Sequence, residues 1–194
     1  MIELYIIRHG QTIENINNIC QGQGVGRLSE LGKKQARLLG KRLKDETFDL
    51  LYSSDLERAV ITASEILEYH PGLEMKTTPV LREWSLTSWE GKPFPKKWSW
   101  NDLPEGAETT EDMVNRAAAF IEMLLEKHDG KRIAAVTHGG LIRAFWTVIA
   151  RKTASALFDW KVPENTSISR VLLQADGKHE LLDINNAEHL MVDC

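Results

Sequence analysis

The 194 residues are enough for one well-buried core, and 42% hydrophobic with 27% charged residues fit a soluble globular protein, which excludes disordered and fibrous classes. A net charge of −4 excludes a broad basic face for nucleic acid, so any anionic ligand has to be held by local cations. The chain opens into an apolar run containing Glu3, without the basic start and apolar core of a signal peptide, and Arg143 and Arg151 bracket the best candidate for a membrane span. Cys20 and Cys194 lack metal-ligand spacing and read as free thiols of a reducing compartment, so a cytoplasmic location is expected.

Ile2, Leu4, Ile6 and Ile7 predict a buried strand that ends at the polar burst Arg8-His9-Gly10-Gln11-Thr12. Beyond a loop carrying Gly22, Gly24 and Gly26, a helix is expected from about Ser29 to Lys44, with Leu31, Gln35, Leu38, Leu39 and Leu43 on its buried stripe. Phe48 to Tyr52 predicts a short buried strand. Ser54 and Glu57 then have capping-box spacing for a helix through Leu67, which puts Arg58 in its first turn. Met75 to Leu81 is a weaker strand, interrupted by Pro79, and residues 82 to about 108 break into tryptophans, lysines and prolines, the pattern of a lid-like excursion. Thr109 or Thr110 caps a long helix whose Met113, Ala117, Phe120, Ile121, Leu124 and Leu125 keep the helical period. A strand over Ile133 to Val136 ends at Thr137-His138-Gly139-Gly140 and leads into an amphipathic helix through Ile149. Two alternating runs around Asp176-Gly177 close the chain as a hairpin. The succession predicts one domain over residues 1–194, a three-layer α/β/α sandwich with a mainly parallel sheet and a C-terminal antiparallel hairpin.

Two strand ends that each deliver a histidine and a glycine point to one site, since ligands of open α/β sheets sit at the carboxyl ends of the strands. Arg8 and Arg58 stand at strand ends as well, and the planar guanidinium fork suits a phosphoryl group through bidentate, charge-assisted hydrogen bonds. Helix amides after Ser54 and Gly140 add partial positive charge. In such a pocket a neutral imidazole can attack phosphorus, and His9 is the expected nucleophile, with His138 as a donor. Glu83, directly after a strand, is placed to protonate a departing alkoxide and later to activate water. A metal hydrolase built on His9, His138 and Glu83 is a lesser reading, because a second carboxylate cluster is missing and two arginines are present. His70, His128, His179 and His189 read as structural. Asn165-Thr166-Ser167 reads as a turn before the last strands.

Taken in order, these residues resemble the histidine phosphatase superfamily, the phosphoglycerate-mutase-like proteins, over essentially the whole chain. The match runs through Arg8-His9-Gly10-Gln11-Thr12 with Asn15, Gln21-Gly22, Leu28-Ser29, Ser53-Ser54-Asp55-Leu56 with Arg58-Ala59, Glu83, Glu90-Gly91, and His138-Gly139-Gly140. The resemblance implies a phosphohistidine on His9, Glu83 as proton donor, and Arg8, Arg58 and His138 as the rest of the phosphate pocket. It further implies that Asn15, Gln21, Gly22 and Gly139 touch or flank the phosphate, and that neither metal nor cofactor is needed. The expected partner is a small-molecule phosphomonoester, with no nucleic acid and no membrane. Glycolytic mutases of the family are similar in the core but longer, with an arginine- and tyrosine-containing insertion after the glutamate that this chain lacks. Trp84, Trp89, Trp98 and Trp100 with Lys92, Lys96 and Lys97 stand there instead, and two readings stay open: a lid that favours an apolar or aromatic leaving group, or tryptophans packed against the sheet. The expectation is therefore a phosphatase resembling α-ribazole and broad-specificity phosphatases, with mutase activity or a silent phospho-ligand-binding module as alternatives.

Overall fold

Strand β1 (Ile2–Arg8) alternates its side chains between two helix layers, and this alternation organises the computed structural model, which describes residues 1–95 and 102–191. Ile2, Leu4 and Ile6 face one apolar cluster, while Tyr5 and Ile7 face the other. The remaining elements are α1 (Ile13–Ile16), α2 (Glu30–Leu43), β2 (Leu50–Ser54), α3 (Glu57–Leu67), β3 (Met75–Thr78), α4 (Thr110–Lys127), β4 (Arg132–Thr137), α5 (Gly139–Ile149), β5 (Ile168–Leu173) and β6 (Glu180–Asn186). One sheet runs in the order β3-β2-β4-β1-β5-β6, parallel from β3 to β1 and antiparallel at β5 and β6. Helices α4 and α5 cover one face and α2 and α3 the other, giving the expected three-layer α/β/α sandwich. Because both faces are covered, the central strands read as continuous apolar runs.

Four local expectations are corrected. Leu31 is 51% exposed, and α2 instead buries Gly32, Ala36, Leu39, Gly40 and Leu43. A Cβ on Gly40 would come within 2.2 Å of the Glu65 carbonyl, so α2 meets α3 through glycine backbone where the leucine count pointed one step round the helix. β2 begins at Leu50, two residues after Phe48. Helix α3 starts after Leu56 with no side-chain cap, because the Ser54 hydroxyl accepts the Leu56 amide and belongs to the strand end. β3 stops at Thr78, and Pro79 opens a 3-10 turn over Pro79–Leu81, since its ring fixes φ and removes a ladder donor.

The excursion beginning at residue 82 starts inside the core. Trp84 and Leu86 are each 5% exposed, and the Trp84 indole N–H donates to the Glu108 carbonyl. The segment is also laced to the loop after α1: the Cys20 amide donates to the Lys92 carbonyl and the Gly91 amide to the Cys20 carbonyl, both at 2.8 Å. Lys96, Lys97, Trp98, Trp100 and Cys194 lie outside the described residues. Among the described residues no helix is long and apolar enough to cross a membrane.

Candidate active site

The parallel register of β1 and β4 pairs Arg8 with Thr137, so the next residues, His9 and His138, leave the sheet side by side. Their ring centroids are 5.1 Å apart. Behind His9 the backbone is pressed against α2: a Cβ on Gly10 would sit 2.5 Å from the Gly32 carbonyl, and one on Gly32 would sit 1.9 Å from the Gln11 carbonyl. Only glycine fits at either position. The Gly10 amide donates to the Thr62 hydroxyl at 3.0 Å, and the His9 carbonyl accepts from the Asn165 side-chain amide at 3.0 Å.

The two imidazoles carry their protons on opposite nitrogens. His9 Nδ1 is 2.7 Å from the Gly10 carbonyl, an obligate acceptor, so Nδ1 holds the hydrogen and Nε2 keeps its lone pair. At His138 the Arg58 Nε–H donates to Nδ1 at 3.2 Å, so Nδ1 is bare and Nε2–H donates to the Ser54 hydroxyl at 2.8 Å. Burial, followed by the guanidinium charges of Arg58 and Arg8, holds His9 well below the ordinary 6.5. Burial, Arg58 and His9 do the same to His138. Both rings are therefore neutral near pH 7.

Arg58 is 1% exposed in the first turn of α3, and its terminal amino groups donate to the carbonyls of Gly24 and Gly22 at 3.0 and 2.7 Å. Gly22 turns its carbonyl inward with φ +48°, a conformation that favours glycine. The run Gly22-Gln23-Gly24 thus wraps an arginine. Arg8 donates one terminal N–H to the Pro163 carbonyl at 2.5 Å, and burial draws its guanidinium down to about 10. Its Nε, beside Gly139, is buried with no hydrogen-bond partner among the described residues, as is Gln21 Oε1. An uncommitted guanidinium N–H between His9 and the first turn of α5 fits an anionic oxygen.

Glu83 reaches this cluster from the far side. Its Oε1 accepts the Trp84 amide at 2.9 Å and its Oε2 the Gly140 amide at 3.1 Å. A Cβ on Gly140 would lie 2.4 Å from Oε1, which explains the second glycine of the Gly139-Gly140 pair. The backbone carrying Glu83 is clamped by Arg116, whose fork donates to the carbonyls of Val80, Arg82 and Glu83 and to both oxygens of Glu108.

Eight of the nine residues expected in the site, Arg8, His9, Asn15, Gln21, Gly22, Arg58, Glu83 and Gly139, line one cavity of about 330 Å³. His138 does not line it: it is fully buried behind Arg58 and His9, with both ring nitrogens engaged by the protein. That engagement also removes it as a ligand for a cation facing the cavity, and among the described residues no group of three His, Cys, Asp or Glu side chains could hold a metal ion. Sequence reasoning missed Ser54, Arg116, Asn165 and Arg143. A hydroxyl at a strand end next to a histidine was the available signal for Ser54. Nothing local marks Arg116 or Arg143, which occupy regular helix positions. The four histidines read as structural all have protein partners, for example Tyr52 for His128 and Thr166 for His189.

The profile of the histidine phosphatase superfamily (branch 1) matches residues 4–187. The chain is 34% identical over 168 residues to a metal-independent phosphoserine phosphatase of Arabidopsis thaliana, covering 79% of this chain and 71% of that protein. It is 33% identical over 159 residues to phosphoglycerate mutase-like protein 4 of the same organism, covering 74% and 69%. In fold it is similar to the α-ribazole phosphatase of Shigella flexneri, with a TM-score of 0.85 at 24% identity over 95% of this chain and 96% of that one. The chain belongs to the histidine phosphatase superfamily.

Proposed function

We propose that the chain is a metal-independent phosphomonoester hydrolase working through a phosphohistidine on His9. The observation that carries the reading is the His9 tautomer: a neutral ring whose Nδ1–H is spent on Gly10, which leaves Nε2 its lone pair, on a residue that lines the same cavity as Arg8, Arg58 and Glu83. Nε2 forms a bond to phosphorus as the ester P–O bond breaks, while Arg8, Arg58 and the first amides of α5 take the charge on the phosphoryl oxygens. Glu83 gives its proton to the departing alkoxide. It then takes one from a water that attacks phosphorus, which breaks the P–N bond and releases phosphate and neutral His9. Asn15, Gln21, Gly22 and Gly139 shape the rim of the phosphoryl site, and His138 acts as a positioning residue by holding Arg58.

Names among the relatives support this reading, and hydrolysis is preferred to mutase transfer because the chain lacks the insertion that grips a substrate in glycolytic mutases. A silent binding module would have no use for Glu83. The single-domain, cytoplasmic reading belongs to the same proposal and rests on the single sheet that both apolar clusters share and on Cys20, a buried thiol with no disulfide among the described residues.

Acid-quenched turnover of a labelled phosphomonoester tests it. A phosphoenzyme that is acid-labile and alkali-stable, and is lost in His9→Ala, is the expected result; label on another residue would sink the nucleophile assignment. Activity should survive EDTA, and its loss would revive the metal hydrolase. In the same assays Glu83→Gln should slow alkyl phosphates far more than p-nitrophenyl phosphate, whose leaving group needs little protonation.

A further inference from the structure

A third guanidinium faces the same cavity without belonging to the phosphoryl cluster. Arg143 of α5 is only 9% exposed, and its place in an apolar helix gives it no obvious reason to be charged. Its Nε–H donates to the Leu157 carbonyl at 2.9 Å, and the Phe158 ring lies 5.0 Å from the guanidinium carbon. Phe158 in turn stacks on Trp84, with centroids 5.9 Å apart. These contacts fix the plane of the fork and consume one of its N–H groups. Among the described residues neither terminal amino group donates a hydrogen bond.

A purely structural arginine at this depth commits its fork, as Arg116 does to three carbonyls and Glu108. Arg143 does not. Burial lowers the Arg143 guanidinium, and Glu83, the nearby opposite charge, offsets this only in part; both Glu83 oxygens are already held by the Trp84 and Gly140 amides. The cavity therefore has a cationic floor at Arg8 and Arg58, an apolar wall from Ile19, Leu86 and Phe94, and a second, separately mounted cation at Arg143. A planar fork with two donors facing a small cavity matches a carboxylate in shape and charge.

We propose that Arg143 is a specificity-determining residue that binds a carboxylate on the leaving group, so that the preferred substrates are phosphorylated hydroxy acids or amino acids. The inference rests on the phosphomonoester-hydrolase reading for its turnover consequences, and only on the cavity for its binding consequences. A neutral leaving group leaves the buried fork without a partner, whereas a carboxylate gives it a charged hydrogen bond, a difference of about tenfold to a hundredfold.

The test uses pairs that differ only in the carboxylate: O-phosphoserine against O-phosphoethanolamine, and 3-phosphoglycerate against glycerol 3-phosphate. The unaltered protein should favour the carboxylate member of each pair by about tenfold to a hundredfold in kcat/KM. In Arg143→Met that ratio should fall towards unity, chiefly through KM, and Arg143→Lys should recover part of it. Equal kcat/KM within both pairs, or a ratio unmoved by Arg143→Met, overturns the proposal. Calorimetric binding of 4-phosphonobutanoate against butylphosphonate to the unaltered protein and to Arg143→Met needs no turnover. Tighter binding of the carboxylate compound, by a margin that Arg143→Met removes, supports Arg143 even if no ester is hydrolysed, in which case the hydrolase reading alone falls. Equal affinities overturn the Arg143 assignment even if hydrolysis is fast. A bisphosphate without a carboxylate that outcompetes both members of a pair would overturn the choice of carboxylate.

Discussion

The two strand ends at His9 and His138 share one sequence grammar and hold different chemistry. Each follows an apolar parallel strand, precedes a glycine and is buried, yet His9 opens on the cavity and His138 stands behind it. The difference comes from what each Nδ1 meets. A carbonyl one residue away demands a proton there, whereas the guanidinium of Arg58, 80 positions distant in sequence, forbids one. Local motif thus sets where a histidine stands, and a long-range partner sets which nitrogen can react.

Substitution separates the two rings most sharply. His9→Gln removes the nucleophile and should lower kcat by about 10⁴-fold or more. His138→Gln disturbs only the placement of Arg58 and should cost about a hundredfold. Steady-state rates with p-nitrophenyl phosphate measure both, and equal losses would erase the distinction between attack and positioning. A smaller effect is expected for Ser54→Ala, which leaves the His138 Nε2–H without its acceptor and should cost about tenfold in kcat/KM, comparable to the loss of one buried hydrogen bond. An unchanged rate would mean that Arg58 alone fixes the His138 tautomer.

The acid side of the pH profile sharpens the contrast further. Because the folded protein holds His9 well below 6.5, its neutral, attacking form persists as pH falls through 6.5, and kcat/KM should show no inflection there from this group. Titration of the His9 ring near 6.5, followed by NMR, would contradict the buried geometry. Stability responds in the same range with a definite sign. An unfolded histidine gains its proton below 6.5, whereas folded His189, drawn down by burial to about 4, does not, so stability is full above 6.5 and lost as pH falls towards 4. The share of His189 is on the order of 3 kcal/mol. Thermal melts between pH 7 and 4.5 should show His189→Asn losing less stability on acidification than the unaltered chain, and parallel slopes would remove His189 from the account.

Much of this arrangement was legible in the sequence because apolar runs end where the sheet ends. That boundary located Arg8, His9 and His138, and the expected helix start after Ser54 put Arg58 in a first turn, whereas Glu83, read as directly following a strand, lies beyond the 3-10 turn that succeeds β3. What stayed hidden depends on contacts between distant segments. Ser54 looked like a cap because spacing cannot tell a hydroxyl that serves its own helix from one that serves His138 across the sheet. Leu31 looked buried because counting leucines ignores that α2 docks on α3 through Gly40. For Trp84 the sequence left lid and core packing open, and its burial at 5% exposure is that of a core side chain on irregular backbone. Asn165 read as a turn residue, which it is, and its side-chain amide in addition supports the His9 carbonyl, a contact that no local pattern shows. Arg143 was invisible for the opposite reason: its helix is so regular that nothing flagged a cation turned towards the core.

The contact between Gly10 and Gly32 bears on how this site can move. Neither position has room for a Cβ, so the segment after His9 cannot open unless the start of α2 lifts away, and α2 is packed into the same apolar cluster as the sheet. His9, the proposed nucleophile, therefore lies within the cooperative folding unit of the core and outside the fraying loops, where low-cost local opening is found. Selection on the activity of such a residue acts at once on the stability of the whole domain, and adaptation of substrate range falls to the cavity's far wall.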